Sequence, residues 1–276
     1  MPIHWFPGHM STARREIRQA MPTVDLVIEV LDARIPFSSE NPLVAELRGT
    51  RPCIQILNKC DLADPAVTEL WLAQLARNPS IRAFAHHQRK SGLKTVVVGL
   101  AKALVPPVRA RAMHAMIVGI PNVGKSTLIN SLAGRPITKT ANKPAITQMQ
   151  QKVQVGTDLV LIDTPGFLWH KLTPEACGYR LAATGAISDR VFDYVEVAIF
   201  AAKFLRARYP HAVGAHYGLA EVPADEMALL EGVARKRGFL GKGGTLDLQR
   251  AAERFVHDLR EGAFGAVSLE TPADCC

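Results

Sequence analysis

Short apolar runs alternate with amphipathic stretches over the first 172 residues of the chain. The apolar runs have the length of buried strands, and they predict strands at Val24–Leu31, Pro52–Leu57, Ile81–Ala85, Ala115–Gly119, Lys152–Val155 and Leu159–Ile162. The amphipathic stretches have helical spacing, and they predict helices at Ala66–Ala76, Leu93–Leu104 and Lys125–Ala133. The predicted apolar face of the first of these helices is formed by Val67, Leu70, Trp71 and Leu75. This alternation predicts a mostly parallel sheet with helices on both faces.

The pattern changes after about residue 172, where long helical stretches replace the strands. The spacing predicts helices at Ser188–Tyr209, Asp225–Arg237 and Leu246–Arg260, the last of them capped by Thr245. The predicted core face of the first of these helices is formed by Val191, Phe192, Val195, Ile199 and Phe204. We therefore expect an α/β domain at residues 1–172 and a small all-helical domain at residues 173–276.

The composition is that of an ordinary globular protein, with 48% hydrophobic and 21% charged residues among 276. No apolar run reaches the length of about 18 residues that a membrane-spanning helix needs. The first ten residues lack the apolar core of a secretory signal. We expect a cytoplasmic monomer that has no membrane partner. The five cysteines show no C-x-x-C spacing, so neither a disulfide framework nor a zinc site is expected.

Positive charge is concentrated in one part of the chain, whose formal net charge is +8. Between Glu69 and Asp158 there is no acidic residue, whereas 13 Lys and Arg fall in that interval. A stretch of one sign repels itself unless it faces an anion. One bound nucleotide does not need all of this charge, and the excess is carried by Arg77, Arg82, Arg89, Lys90, Lys94, Arg109 and Arg111. This charge predicts a nucleic-acid partner, and the alternative is a solvated basic surface.

A phosphate-binding loop is the strongest single motif. The segment Gly119–Ser126 (GIPNVGKS) fits G-x-x-x-x-G-K-[ST] at every position and lies between a predicted strand and a predicted helix. Its backbone N–H groups would surround the phosphates at the amino end of the helix, where the helix dipole favours anions. Lys125 would reach the β- and γ-phosphates, and the Ser126 hydroxyl would bind Mg²⁺. The nucleotide-binding residues predicted in and beside this loop are Gly119, Asn122, Val123, Gly124, Lys125, Ser126 and Thr127.

A D-x-x-G motif, Asp163–Gly166 (DTPG), follows the predicted strand that ends at Ile162. A carboxylate at this place, 38 residues after Lys125, can hold Mg²⁺ through water, as a Walker-B acid does. The Gly166 amide could donate a hydrogen bond to the γ-phosphate. D-x-x-G alone is a common turn, and the P-loop before it is what indicates a nucleotide site.

A guanine-recognition motif, Asn58–Asp61 (NKCD), follows the predicted strand that ends at Leu57. The Asp61 carboxylate can accept hydrogen bonds from the N1–H and N2–H₂ groups of guanine, a pair of donors that adenine lacks. Asn58 can brace the loop, and Lys59 can lie along the plane of the base. The motif therefore predicts selection of GTP and GDP over adenine nucleotides.

The order of the three motifs along the chain is unusual. In ordinary GTPases the P-loop comes first, then D-x-x-G and then N-K-x-D, whereas here Asn58–Asp61 precedes the other two. The same sheet can be built from a chain whose termini lie elsewhere, because surface connections tolerate it. We therefore predict a circularly permuted P-loop GTPase domain. Asp163–Gly166 then leads directly into the helical domain, so a change at the γ-phosphate would reach that domain through one short connection.

Several longer segments add to these motifs a resemblance to a known family. The segments are HWFPGHM (residues 4–10), DARIP (32–36), SSENP (38–42), NKCDL, GIPNVGKSTLIN, DTPGFLW and GKGGTLDLQRAAERFVHDLREGAFG. Together they resemble the YlqF-type GTPases over nearly the whole chain. The resemblance implies a GTPase that acts in late maturation of the large ribosomal subunit and binds its rRNA, with a helical carboxyl-terminal RNA-binding domain.

The resemblance also implies roles for single residues. Thr147 would be the first-switch threonine that closes on Mg²⁺ and the γ-phosphate, and Asn122 would help to hold K⁺. Phe167 occupies the place after D-x-x-G where many GTPases have a water-orienting Gln. Because an apolar side chain cannot orient water, His9 is the candidate that would position or polarise the attacking water. The alternative for His9 is a turn residue packed beside aromatic neighbours.

The chain departs from the family pattern in two loops. The first switch reads KPAIT, with Ala145 where the family usually has Gly, and alanine does not adopt positive φ as easily. The second guanine-contacting loop is expected near residues 84–88, which read FAHHQ, so His86 and His87 are assigned to nucleotide binding. The predicted catalytic residues are His9, Lys125 and Thr147. The predicted metal ligands are Ser126, Thr147 and Asp163 for Mg²⁺ and Asn122 for K⁺.

These observations together predict a Mg²⁺-dependent GTPase that is stimulated by the large ribosomal subunit. Two alternatives remain open at this point. One is an RNA-binding assembly protein in which GTP is only a structural ligand. The other is a P-loop ATPase or kinase.

Overall fold

The computed structural model describes residues 15–106, 111–137, 151–169 and 171–275. Four residues with predicted roles lie outside these ranges and keep those roles as predictions: His9, Arg109, Ala145 and Thr147. The described residues form two compact units, one made of Leu172–Leu269 and the other of the residues before Leu172 together with residues 270–275. No helix in the described part of the chain is long and apolar enough to cross a membrane.

The first unit is built on a six-stranded sheet. Its strands are β1 (Leu26–Asp32), β2 (Cys53–Asn58), β3 (Ile81–Ala85), β4 (Met113–Gly119), β5 (Gln151–Val155) and β6 (Leu159–Asp163). They lie in the order β3-β2-β1-β4-β6-β5, and every neighbouring pair is parallel except β5 with β6. Strands β1 and β2 are buried along their whole length, as strands covered on both faces must be. The predicted α/β fold with a mostly parallel sheet is confirmed.

The helices of this unit are α1 (residues 15–20), α2 (Pro36–Ser39), α3 (Pro42–Arg48), α4 (Pro65–Leu75), α5 (Leu93–Leu104) and α6 (Lys125–Ala133). The predicted helices correspond to α4, α5 and α6. The pattern does not reveal α2 and α3, because four and seven residues are too few to show a helical period. In α4, Val67 and Trp71 are buried, but Leu70 is 57% exposed, so the prediction for Leu70 is wrong.

The second unit consists of helices α7 (Glu175–Ala183), α8 (Tyr194–Arg208), α9 (Pro210–Tyr217), α10 (Glu226–Arg237) and α11 (Leu248–Glu261). Helix α8 begins at Tyr194 and not at Ser188, because the Asp193 carboxylate accepts hydrogen bonds from two backbone N–H groups and so caps the helix. Helix α11 is capped in the same way by Asp247 and not by Thr245.

The buried face of α8 is not the one that the sequence pattern predicts. Of the five predicted core residues none is buried, and Val191 is 40% exposed. The face that packs inward is formed by Tyr194, Val197, Ala198, Ala201, Ala202 and Leu205. Most of these side chains are small, so they give a weaker hydrophobic signal than the Phe and Ile residues on the neighbouring face. The prediction followed residue size and thereby selected the wrong face.

Residues 270–275 return to the first unit, whereas the predicted helical domain extends to residue 276. The Glu270 carboxylate accepts hydrogen bonds from the N–H and the hydroxyl of Ser38, at 2.9 and 2.5 Å. The Glu270 carbonyl accepts a hydrogen bond from Trp71 Nε1 at 3.4 Å. Cys275 packs against the apolar cluster that contains Trp71. The first unit is therefore discontinuous in sequence.

Candidate functional site

The three nucleotide-binding motifs meet at one edge of the sheet. Asn58 ends β2, Gly119 ends β4 and Asp163 ends β6, and the parallel register brings these ends to the same side. From β1 the chain first adds strands on one side and then adds β4 on the other. The crevice outside the carboxyl ends of the strands, at such a reversal, is where open α/β sheets bind ligands.

The guanine loop is hydrogen-bonded to the P-loop. The Asn58 side-chain amide donates to the Val123 carbonyl at 2.8 Å. Gly124 makes this contact possible, because a Cβ at that position would lie 2.4 Å from Asn58 Nδ2. Gly124 also has a φ of 96° at the start of α6, a left-handed conformation that favours glycine. The brace predicted for Asn58 is thus a direct contact between the loop for the base and the loop for the phosphates.

Lys125 of the P-loop and Asp163 at the end of β6 form a buried ion pair. Lys125 Nζ lies 2.5 Å from Asp163 Oδ1, and the two side chains are 6% and 0% exposed. Burial lowers the pKa of Lys125, and the Asp163 carboxylate opposes this shift. Asp163 Oδ2 is buried and has no hydrogen-bond partner among the described residues. A buried carboxylate oxygen without a partner is unfavourable, so this position fits a hard cation such as Mg²⁺ or one of its water ligands.

The DTPG segment packs tightly against the start of the P-loop. A Cβ on Gly166 would lie 3.1 Å from the Cα of Pro121, so a larger residue there would push the two backbones apart by a few tenths of an ångström. The Phe167 N–H donates to the Gly119 carbonyl at 3.4 Å. The Phe167 side chain is 1% exposed, so it faces the core and cannot reach an attacking water. Trp169 is also buried.

The guanine loop itself leaves Asp61 exposed at the sheet edge. The Cys60 N–H donates to the His86 carbonyl at 3.1 Å, and the His86 N–H donates to the Leu57 carbonyl at 2.9 Å. The loop that contains His86 and His87 therefore lies directly against the guanine loop. Burial lowers the pKa of His86, which favours the neutral imidazole.

Sequence reasoning missed two charged residues beside this loop. Asp32, at the end of β1, is 1% exposed, and so is Arg34. Asp32 accepts hydrogen bonds from the Arg34 guanidinium at 2.9 and 2.8 Å and from Lys59 Nζ at 3.0 Å. Burial alone would raise the pKa of Asp32, but Arg34 and Lys59 outweigh it and hold that pKa below its ordinary value. Asp32 could have been found from the sequence, because it is an acidic residue at the end of an apolar strand, as Asp163 is.

The residues counted as excess charge are exposed where the structure describes them, and one of them is also ion-paired. The residues Arg77, Arg82, Arg89, Lys90 and Lys94 are all exposed. Arg111 also forms a two-point ion pair with Asp25, at 2.7 and 2.8 Å. Asp25 precedes the acid-free interval in sequence but lies beside Arg111 in the fold, so part of the charge of Arg111 is neutralised within the protein.

A cluster of polar side chains around the buried Glu29 and the half-buried Glu40 contacts the segment that follows DTPG. Glu29, on β1, accepts hydrogen bonds from the Asn41 N–H at 3.1 Å and from Gln55 Nε2 at 3.0 Å. Gln55 Nε2 also donates to Glu40 at 3.0 Å, and the Asn41 amide donates to the Phe167 carbonyl at 3.4 Å. Burial, with the neighbouring Glu40 carboxylate, raises the pKa of Glu29 to about 8. The pKa of Glu40 is also raised by burial.

This cluster makes the stability of the protein depend on pH. The pKa of Glu29 is about 8 in the folded state against 4.5 for the unperturbed group, so the folded state binds more protons between these values. The free energy of unfolding should therefore fall as pH rises from about 5 to about 8, by up to ~1.4 kcal/mol per pH unit for each such group. Glu29→Gln should reduce this fall, as urea unfolding at several pH values would measure.

The matched control is Glu46→Gln, which changes a carboxyl group whose side chain is 59% exposed. This variant should keep the pH dependence of the wild type. In Glu29→Gln the side-chain carbonyl can keep one of the two hydrogen bonds that the Glu29 carboxylate accepts. Equal pH dependence in Glu29→Gln and wild type would contradict the prediction.

The chain is similar in sequence to known GTPases. Residues 114–203 match the family described as 50S ribosome-binding GTPase. The chain is 39% identical to ribosome biogenesis GTPase A of Bacillus cereus, over 99% of this chain and 95% of that protein. It is 41% identical to ribosome biogenesis GTPase A of Bacillus licheniformis, over 99% of this chain and 100% of that protein. The chain belongs to the ribosome biogenesis GTPase A family.

Solved structures agree with membership of the ribosome biogenesis GTPase A family. A GDP-bound YlqF structure has a TM-score of 0.69 at 29% identity and covers 94% of this chain and 100% of its own. A GNP-bound YlqF from T. maritima has a TM-score of 0.68 at 28% identity, over 95% and 98% of the two chains. The resemblance to YlqF-type GTPases is confirmed. GTPases of this kind generally use Mg²⁺, and the ATPase or kinase alternative loses its support.

Proposed function

We propose that this protein hydrolyses GTP to GDP and phosphate as a switch in late maturation of the large ribosomal subunit, in the cytoplasm, and binds the rRNA of that subunit. The observation that carries the GTP part is the convergence of the guanine loop, the P-loop and DTPG, tied together by the bond from Asn58 to Val123. The names of the relatives, which are ribosome biogenesis GTPases, support the ribosomal part.

The residues of the site fit the metal ions that this function needs. The hydroxyls of Ser126 and Thr147 would hold Mg²⁺, and Asp163 would hold one of its water ligands through the buried Oδ2. Asn122, which has a φ of 57° in the P-loop, would help to hold K⁺. When bound, these cations offset the negative charge of the triphosphate and of its transition state.

The protein side chains would act on the phosphates and on the attacking water. When nucleotide binds, Lys125 would leave Asp163 and contact the β- and γ-phosphates. These phosphates are anionic and would lie at the amino end of α6, next to Lys125. Phe167 points into the core, so the water must be oriented by another group. We assign that task to His9, which as a neutral imidazole can accept a proton from water or orient it by a hydrogen bond.

Contact with rRNA is supported by the distribution of exposed charge. Five Lys and Arg of the acid-free stretch, from Arg77 to Lys94, point to solvent in the first unit. In the helical unit, Lys242 lies exposed in the loop between α10 and α11, beside Gly243 and Gly244. Exposed Lys and Arg are the groups that neutralise phosphates when proteins bind nucleic acid.

The proposal is tested by GTP turnover at saturating purified large ribosomal subunits. We expect the subunits to raise turnover at least about tenfold, and we expect His9→Ala to lose most of that increase, because general acid–base groups contribute factors of ~10² or more. The binding of GTP to His9→Ala should remain close to that of the wild type. Binding is measured by calorimetry and turnover by release of phosphate.

Bulk rRNA and heparin are the controls for non-specific stimulation. Equal stimulation by any polyanion would contradict a role at the large subunit. If saturating subunits produce no turnover although GTP binds, the alternative in which GTP is a structural ligand of an RNA-binding assembly protein is correct. If GTP does not bind at all, the whole proposal fails.

A further inference from the structure

The buried carboxylate of Asp32 has more partners than its own neutralisation requires. Its Oδ1 accepts hydrogen bonds from the backbone N–H of Arg34 at 3.1 Å and from Arg34 Nε at 2.9 Å. Its Oδ2 accepts from Arg34 Nη2 at 2.8 Å and from Lys59 Nζ at 3.0 Å. The two-point pair with Arg34 already balances the charge. The contact with Lys59 is therefore an addition that needs its own explanation.

Lys59 occupies an unusual backbone conformation in the middle of the guanine loop. Its φ is 60°, in the left-handed region that a residue with a Cβ rarely adopts. Such a conformation persists only where the surroundings enforce it. The Lys59 side chain is 24% exposed and lies with its ammonium on the Asp32 carboxylate. The backbone before it is also fixed, because the Ala33 N–H donates to the Asn58 carbonyl at 2.8 Å.

The conformation of Lys59 determines where Asp61 stands. Asp61 follows Lys59 by two residues, so a rotation of the backbone at Lys59 moves the Asp61 carboxylate relative to the P-loop. Two hydrogen bonds to the edge of guanine tolerate little displacement, since both must keep short distances and favourable angles.

Asp32 is itself held by hydrogen bonds to helix α2. Its backbone N–H donates to Ser39 Oγ at 3.0 Å, and Ser39 Oγ in turn donates to the Pro36 carbonyl at 3.1 Å. The adjacent Ser38 is fixed by the Glu270 carboxylate. Asp32 therefore projects from a rigid base, which is what a group that positions another must have.

We infer that Asp32 is a positioning residue for guanine specificity, which fixes Lys59 and through it sets the Asp61 carboxylate against the N1–H and N2–H₂ groups of the base. The inference rests on the proposed binding of guanine nucleotides. Asp32 does not touch the nucleotide. Asp32 therefore affects the difference in affinity between purine bases and not the binding of the phosphates.

The test compares GDP with inosine diphosphate, which keeps N1–H but lacks the 2-amino group. The wild type should bind GDP at least about tenfold more tightly than inosine diphosphate, because one hydrogen bond to a carboxylate is lost. In Asp32→Asn, where an amide N–H₂ replaces one acceptor, this ratio should fall below about threefold. Equilibrium titration with fluorescent nucleotide and competition by each diphosphate gives the ratio.

Lys59→Met supplies a second variant that leaves Asp32 paired with Arg34. It should lower the ratio of the two affinities in the same way, whereas loss of a stacking contact alone would weaken both nucleotides equally. Asp32→Asn added to Lys59→Met should change the ratio less than about twofold further, since the two act through one contact. Lys236→Met, which removes an exposed lysine of α10, should keep the wild-type ratio.

The outcomes separate the inference from the proposed function. If the wild type does not bind GDP, the proposed function fails. If the wild type discriminates and folded Asp32→Asn discriminates equally, the inference about Asp32 is overturned. If Asp32→Asn does not fold, as circular dichroism would show, an unchanged ratio in Lys59→Met overturns the inference instead.

Discussion

Replacing Asp61 by Asn is expected to weaken GDP binding about a hundredfold and to turn the preference toward xanthine nucleotides. A carboxylate accepts hydrogen bonds from both N1–H and N2–H₂ of guanine, whereas an amide accepts only one and directs its own N–H₂ at the guanine amino group. Xanthine carries a carbonyl oxygen at that position, which the amide can satisfy. Asp61 is exposed, so the fold should tolerate the change. Titration with GDP, XDP and ADP measures the preference.

The same substitution three residues later is the matched control. The Asp64 carboxylate caps α4 by accepting hydrogen bonds from the N–H groups of Ala66 and Val67, and Asn caps helices as well as Asp does. Asp64→Asn should therefore keep both stability and guanine preference. If Asp61→Asn still prefers GDP to XDP, the base is recognised elsewhere and the assignment of the guanine loop is wrong.

Replacing Lys125 by Met is expected to have two separate effects. GTP turnover should fall by a factor of ~10² to 10³, because a preorganised cation at the β- and γ-phosphates is lost. The nucleotide-free protein should also lose about 3–5 kcal/mol of stability, because Asp163 is 0% exposed and would keep a buried charge without its partner. Urea unfolding without nucleotide measures the second effect, and single-turnover kinetics measure the first.

A second substitution distinguishes the two effects. Asp163→Asn, added to Lys125→Met, removes the unpaired charge and should restore much of the lost stability, but it should leave turnover as low as before. If Lys125→Met is as stable as the wild type without nucleotide, the pair of Lys125 with Asp163 does not stabilise the nucleotide-free protein. Recovery of turnover in the double variant would contradict the role of Lys125 at the phosphates.

The strands and the P-loop were predictable because their signals are local. The run from Ala115 to Gly119 must be a buried strand, and Gly119–Ser126 carries its own chemical pattern. The helices α5 and α6 begin and end where the sequence places them. The order of the strands was not predicted, because β4 follows β3 in sequence but pairs with β1 on the other side of the sheet.

The contacts that depend on strand register were not predictable. Asp32 meets Lys59 because β1 and β2 pair Asp32 with Asn58, and no local pattern gives that register. The buried carboxyl of Glu29 is hidden in the same way, since it lies within an apolar run and its partners come from residues 40, 41 and 55. The face of α8 was mistaken because alanines form its packed side. In each case the contact or the buried face depends on which elements pack together in the fold, and the local sequence does not determine that packing.

The discontinuity of the first unit changes how a signal could pass to the helices. The chain enters the helical unit at Leu172 and leaves it after Leu269, so that unit is a guest domain attached at both ends, not an appendage on a single linker. The exit attachment is anchored, because Glu270 is bonded to Ser38. A change in the first unit can therefore reach the helical unit through two chain connections, one before Leu172 and one after Leu269.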